Sequence, residues 1–205
     1  MSSQRLDRDR VIAAAAAIVD SDGWRALTMS ALAKELGIKV PSLYNHVSNL
    51  EALRGELQNR TLREIGERLN HTAMGRTGEH AMRALAATFR AYALEHPGRY
   101  DLATQAPIDR EGFADVSVAA GEALFAVIRS YGIVDADALE LQLSAFAALH
   151  GALVLENAGF FPDTIDAEPI YGLVLAQVLD LLAPRAHALA VASCWSACDV
   201  PRIPF

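Results

Sequence analysis

The sequence predicts an all-α protein: a small three-helix head followed by a larger helical domain. Three observations carry this. Alanine, leucine and glutamate dominate the 205 residues, alternating β-branched runs are scarce, and apolar residues recur at helical spacing between glycine and proline stops. With 52% apolar and 21% charged residues the chain can bury a core, and it has neither a disordered nor a fibrous composition. No uninterrupted apolar run reaches the ~18–20 residues of a membrane span, and the polar start argues against a signal peptide, so the expectation is a cytoplasmic protein without a membrane partner.

The first helix is expected over about Asp7 to Ser21, with Val11, Ala15, Ile18 and Val19 on one face and Gly23 as its stop. Thr28 suits the N-cap of a short helix with Leu32, Ala33 and Leu36 facing inward, ended by Gly37. Pro41 fits the first turn of a third helix, with Leu43 and Val47 inward. Ser48-Asn-Leu-Glu51 fits a capping box that opens a long helix to His71. Further helices are expected over Glu79–Glu95, Arg99–Gln105, Glu111–Tyr131, Ala136–Ala158 and Ile165–Ala183. The expected domains are therefore 1–49, 50–183 and a tail from Pro184 to Phe205.

Net charge is −7, yet residues 1–48 hold six Lys/Arg against five Asp/Glu, whereas residues 49–205 hold twelve against twenty. An acidic body does not exclude nucleic acid when the head is near neutral. Two short helices around Gly37-Ile-Lys-Val40 must cross steeply and share one small core. That is a helix-turn-helix arrangement, whose second helix can enter a major groove about 12 Å wide.

The residues from Leu27 to Val47, above all Thr28, Leu32-Ala33, Leu36-Gly37, Ser42 and Leu43-Tyr44-x-His46-Val47, resemble those of the tetracycline-repressor-like (TetR) transcriptional regulators nearly position by position. The likeness spans residues 7–57. It implies that Thr28, Tyr44 and His46 contact phosphates, that Lys39, Val40, Pro41, Ser42 and Asn45 face base edges, and that Ser30 adds a weak hydrogen bond. One departure stands out: many relatives carry a phosphate-gripping lysine where this chain has Leu50, leaving Arg5, Arg8 and Arg54 as candidate substitutes.

The segment 136–158 is apolar on more than one side. Leu139, Leu143, Phe146, His150, Leu153 and Asn157 follow one face, while Leu141, Ala145, Ala148, Ala152 and Leu155 follow another. Such a helix must be covered on both sides, which predicts a homodimer through residues 139–182; the family resemblance points the same way. His150-Gly151 is also similar to a pair in the branch with a WHG-type C-terminal domain. A small apolar effector is expected among Phe89, Tyr92, His96, Phe125, Phe146, His150 and Asn157, where scattered polar groups could orient it.

Catalytic signatures are lacking: there is no G-x-S-x-G, no G-x-x-x-x-G-K-[ST] and no H-E-x-x-H. Cys194, Cys198 and His187 do not have the spacing of a structural zinc site, so no metal and no cofactor is expected. The resulting expectation is a ligand-responsive regulator, more repressor than activator, that binds a palindromic double-stranded operator as a homodimer and is released by a small molecule. Two other readings stay open on the sequence alone: a helical enzyme built on His96, His150 and Glu156, and a module that binds a partner chain through its apolar helices.

Overall fold

The computed structural model describes residues 6–133 and 135–197, with side chains described for 6–133 and 136–183. Among the described residues there are nine α-helices, one 3-10 turn and no strand. The helices are α1 Arg8–Asp22, α2 Met29–Glu35, α3 Val40–Leu43, α4 Leu50–Ala73, α5 Gly78–Glu95, α6 Pro97–Ala103, α7 Arg110–Arg129, α8 Asp135–Asn157 and α9 Ala167–Ala197. The 3-10 turn, Trp24–Ala26, follows α1.

Local chemistry explains the head. The Asp7 carboxylate accepts from the Arg10 amide at 2.9 Å and opens α1. Thr28 Oγ1 accepts from the Ala31 amide at 3.1 Å and opens α2, as expected. Gly37, with φ +66, supplies the left-handed residue that turns α2 into α3. Pro41 stands in the first turn of α3, where its missing N–H costs nothing. The long helix differs in one detail. Asn49, not Ser48, is its cap, with Oδ1 accepting from the Ala52 amide at 2.7 Å. The expected Ser48/Glu51 box is out of register by one residue, because Asn is as good a cap as Ser.

The chain forms two compact units. One comprises Met1–His71 with Ala87–Glu122, the other Thr72–Ala86 with Ala123–Phe205. In the first, Val11, Ile12, Ala15, Ile18 and Val19 of α1 meet Leu27, Leu32, Ala33, Leu43 and Val47. Leu53 and Leu57 of α4 and Leu102 of α6 complete the same core. The expected boundary at 49/50 thus falls inside this unit. Gln58, fully buried on α4, binds the end of α6 and the chain that follows: Nε2 donates to the carbonyls of Leu102 and Gln105 at 3.1 Å, and Oε1 accepts from the Ile108 amide at 3.1 Å.

In the second unit α8 packs along α9, and Ala145, Leu149 and Leu153 of α8 and Tyr171, Leu175, Val178 and Leu182 of α9 are buried. The buried Tyr171 hydroxyl donates to the Ala86 carbonyl at 2.9 Å. The last helix was expected to stop at Ala183. It runs through Pro184 to Ala197, over a stretch rich in alanine, the strongest helix former. The side chains of His187, Cys194 and Trp195, and the residues Arg5 and Cys198, lie outside what is described. Among the described helices, Ala136–Asn157 is long and apolar enough by composition to cross a membrane, although Glu140 and Glu156 lie on it.

Candidate nucleic-acid interface

With Leu43 and Val47 held in the core, the intervening and flanking side chains must point outward. Lys39, Pro41, Ser42, Tyr44 and Asn45 are exposed, and His46 and Val40 are half-buried. Tyr44 is 55% exposed, with its hydroxyl free to reach solvent or a partner. On α2, Thr28 and Ser30 are exposed as well. Thr28 caps with a lone pair, so its O–H remains available to donate to an anion. Seven of the nine expected residues are therefore exposed, and His46 and Val40 are half-buried. Val40 is the exception in kind, because its side chain packs against the head core as well as meeting solvent.

The candidate phosphate substitutes fare differently. Arg8 forms a two-pronged pair with Glu56, its Nε 3.0 and 2.9 Å from the two carboxylate oxygens. Arg54 is turned inward, with Nη2 donating to the Leu27 carbonyl at 2.8 Å and the guanidinium over the Trp24 ring. Neither is presented as a free cation. Leu50 packs against the head core, which is what a leucine does there in place of a lysine.

The residues expected to hold an effector are divided between the two units. Phe89, Tyr92 and His96 belong to the first unit, and Phe125, Phe146, His150 and Asn157 to the second. Phe89 packs edge-on to Tyr100 at 5.6 Å. His150 is half-buried and stacks on Phe146 at 5.4 Å, while Asn157 is exposed. Tyr92 and His96 join an ion cluster that spacing could not reveal. Arg99 Nε lies 3.0 Å from both oxygens of Asp20, Nη1 lies 2.7 Å from Glu64, and Nη2 lies 2.7 Å from His96 Nδ1. The Tyr92 hydroxyl donates to the same Glu64 oxygen at 3.1 Å. Burial is the main cause that pushes the Tyr92 phenol above its ordinary pKa, so it stays a donor. Burial works to lower the Arg99 pKa, but the hydrogen bond to Asp20 and the surrounding negative charge outweigh it, and the net shift is upward. Among the described residues no group of His, Cys, Asp and Glu could hold a metal ion.

Comparison with known proteins matches this layout. Residues 11–57 match the family described as bacterial regulatory proteins, tetR family, and residues 82–180 match the tetracyclin repressor-like C-terminal domain. An uncharacterized HTH-type transcriptional regulator, Rv0681 of Mycobacterium tuberculosis, is 37% identical over 169 residues, which cover 82% of this chain and 77% of that protein. BioQ, solved with its double-stranded DNA operator, is similar with a TM-score of 0.64 and 25% identity, over 87% of this chain and 99% of that one. A TetR variant from Acinetobacter baumannii AYE, solved in complex with minocycline, shares the fold at a TM-score of 0.67 and 20% identity, over 88% and 98% of the two chains. The chain belongs to the TetR family: it is a transcriptional regulator with an N-terminal DNA-binding domain, and not an enzyme.

Proposed function

We propose that the protein is a ligand-responsive repressor that binds a roughly palindromic operator as a homodimer in the cytoplasm. The observation that carries this reading is the exposed row Lys39, Pro41, Ser42, Tyr44 and Asn45 on a head whose core is closed beneath it. Each head places residues 39–47 in a major groove, with Thr28, Tyr44 and His46 on phosphates and Ser30, Lys39, Val40, Pro41, Ser42 and Asn45 toward base edges. BioQ, a relative solved on its operator, supports the mode.

The second copy joins through α8 and α9 within residues 139–182. Leu139, Leu143, Phe146, Val154 and Leu155 on α8, and Leu173 and Leu181 on α9, are exposed in the single chain. Gly151 and Gly172 stand on these helices with open space around them, which allows close approach of another helix. A small, mostly apolar effector then favours a geometry of the two heads that does not fit DNA. A coupling of about 1–3 kcal/mol is typical for such a shift. His150, stacked on Phe146, is the polar group kept as a candidate effector contact.

The test is selection of bound duplexes from a random DNA pool by the pure protein, followed by sizing of the complex. Enrichment of a two-fold symmetric site bound by two copies supports the reading. No enrichment at any salt concentration removes it.

A further inference from the structure

The seam between α1 and α6 is more specific than the packing of two helices requires. At Gly98 a Cβ would stand 1.9 Å from the Val19 carbonyl oxygen, so α6 rests directly on the last turn of α1, backbone on backbone. One residue later comes Arg99, whose side chain is only 12% exposed. Its three nitrogens serve three places: Asp20 at the end of α1, Glu64 on α4, and His96 at the corner between α5 and α6. His96 Nδ1 also lies 3.3 Å from Asp20 Oδ2, and its Nε2 lies 3.4 Å from Glu95 Oε1, so the ring is held on both edges. A second tie runs parallel to the first, from the Trp24 indole N–H to Asp101 on α6 at 2.8 Å.

Stability alone does not account for this cluster. Ion pairs that are part exposed, as Asp20 and Glu64 are here, add little net stability, because lost hydration offsets the attraction. What the fork adds is direction. Its donors are fixed in one plane, whereas a lysine ammonium would meet the same carboxylates at any angle. Residues 39–47 share a closed core with α1, so whatever orients α1 orients them.

We propose that Arg99 is a positioning residue for DNA binding: through Asp20, Glu64 and His96 it fixes the direction in which α1, and with it residues 39–47, leaves α4 and α6. The role rests on the reading of residues 39–47 as the DNA-contacting segment. Arg99 itself touches no base or phosphate.

The test uses the full-length protein and the duplex that the wild type selects from a random pool. Arg99→Lys keeps the charge and removes the fork. Gly98→Ala opens the same seam with no change of charge. Asp20→Asn weakens only the α1 arm, removing its charge and one of its two acceptor oxygens, and serves where either of the others fails to fold. Affinity for the duplex, base preference on a panel of point-mutated duplexes, and amide exchange along α1 are measured together. The expected result is affinity about tenfold weaker in each variant, a part of the gain that two well-placed heads have over one, with base preference unchanged and faster exchange at the end of α1. Asp20→Asn combined with Arg99→Lys should lose less than the sum of the two single losses, since the two residues share a contact. Wild-type affinity in folded Arg99→Lys and Asp20→Asn overturns the role, and so does an altered base preference, which would mean direct contact. A wild type that selects no duplex overturns the DNA reading itself, an outcome distinct from a wild type that binds while its variants bind equally well.

Discussion

Tyr44 and Asn45 are adjacent and both exposed, but the proposed contacts differ in kind. A phosphate contact carries no base identity, so Tyr44→Phe should weaken binding to every duplex alike, by about 1.5–3 kcal/mol for a hydrogen bond to a charged group. Asn45→Ala should instead relax preference at one or two operator positions, by about 1–3 kcal/mol there. Val40 is a poorer probe, because its truncation also thins the head core it packs against. Titration of a point-mutated duplex panel separates the two effects, and unchanged affinity and preference in both variants would remove residues 39–47 from the interface. Leu50 offers the complementary gain. Leu50→Lys loses some packing and sets a cation near the start of α4, yet its long stem can cover the same apolar surface. One added phosphate contact should steepen the dependence of log affinity on log salt by about 0.9. An unchanged slope would show that this position does not reach the DNA backbone.

Among the elements, the head was the most legible. Its caps, its Gly37 turn and its inward residues are all local chemistry, written within a few positions of where they act. The register of the α4 cap slipped by one residue because Ser48 and Asn49 are both good caps. What sequence could not supply were contacts between distant segments. Gln58 reaches Leu102, and Arg99 reaches Asp20, across stretches that no short spacing rule links. Pro97-Gly98 reads as a stop after α5, but Pro97 also starts α6, where its fixed φ is an advantage. On α8 the apolar residues lie all round, so the pattern signals double burial without saying which face turns inward. Ala145, Leu149 and Leu153 do, and Leu139, Leu143 and Phe146 do not. A consequence concerns Leu102, fully buried in the head core though it lies far along the chain. Leu102→Ala should destabilise the head by about 2–5 kcal/mol. For the same reason a fragment ending at residue 49, which lacks Leu53, Leu57 and Leu102, should not fold. Thermal melts followed by helical circular dichroism check both, and a cooperative melt of that fragment would refute the shared core.

At the scale of the whole molecule, the exposed apolar side chains of α8 and α9 leave the single chain incomplete. Leu143 is 58% exposed, Leu173 66% and Leu181 56%, on helices that already pack against each other through their opposite faces. Monomeric proteins rarely leave so continuous an apolar face to water. Ala148 lies on α8 three residues before Gly151, and it is exposed in the single chain. Ala148→Glu should therefore leave the protomer folded while forcing an unpaired carboxylate into the proposed interface, at a cost of several kcal/mol of association. Sedimentation of both proteins reads this directly: the wild type should run as a dimer at micromolar concentration and the variant as a monomer. DNA affinity should fall with it. Two heads about one helical turn (~34 Å) apart bind with an avidity that can exceed either head alone by about 10²–10⁴. The two measurements must agree in direction. A variant that stays dimeric places the interface elsewhere, and a variant that is monomeric yet binds the operator as tightly as the wild type removes the two-headed mode of recognition.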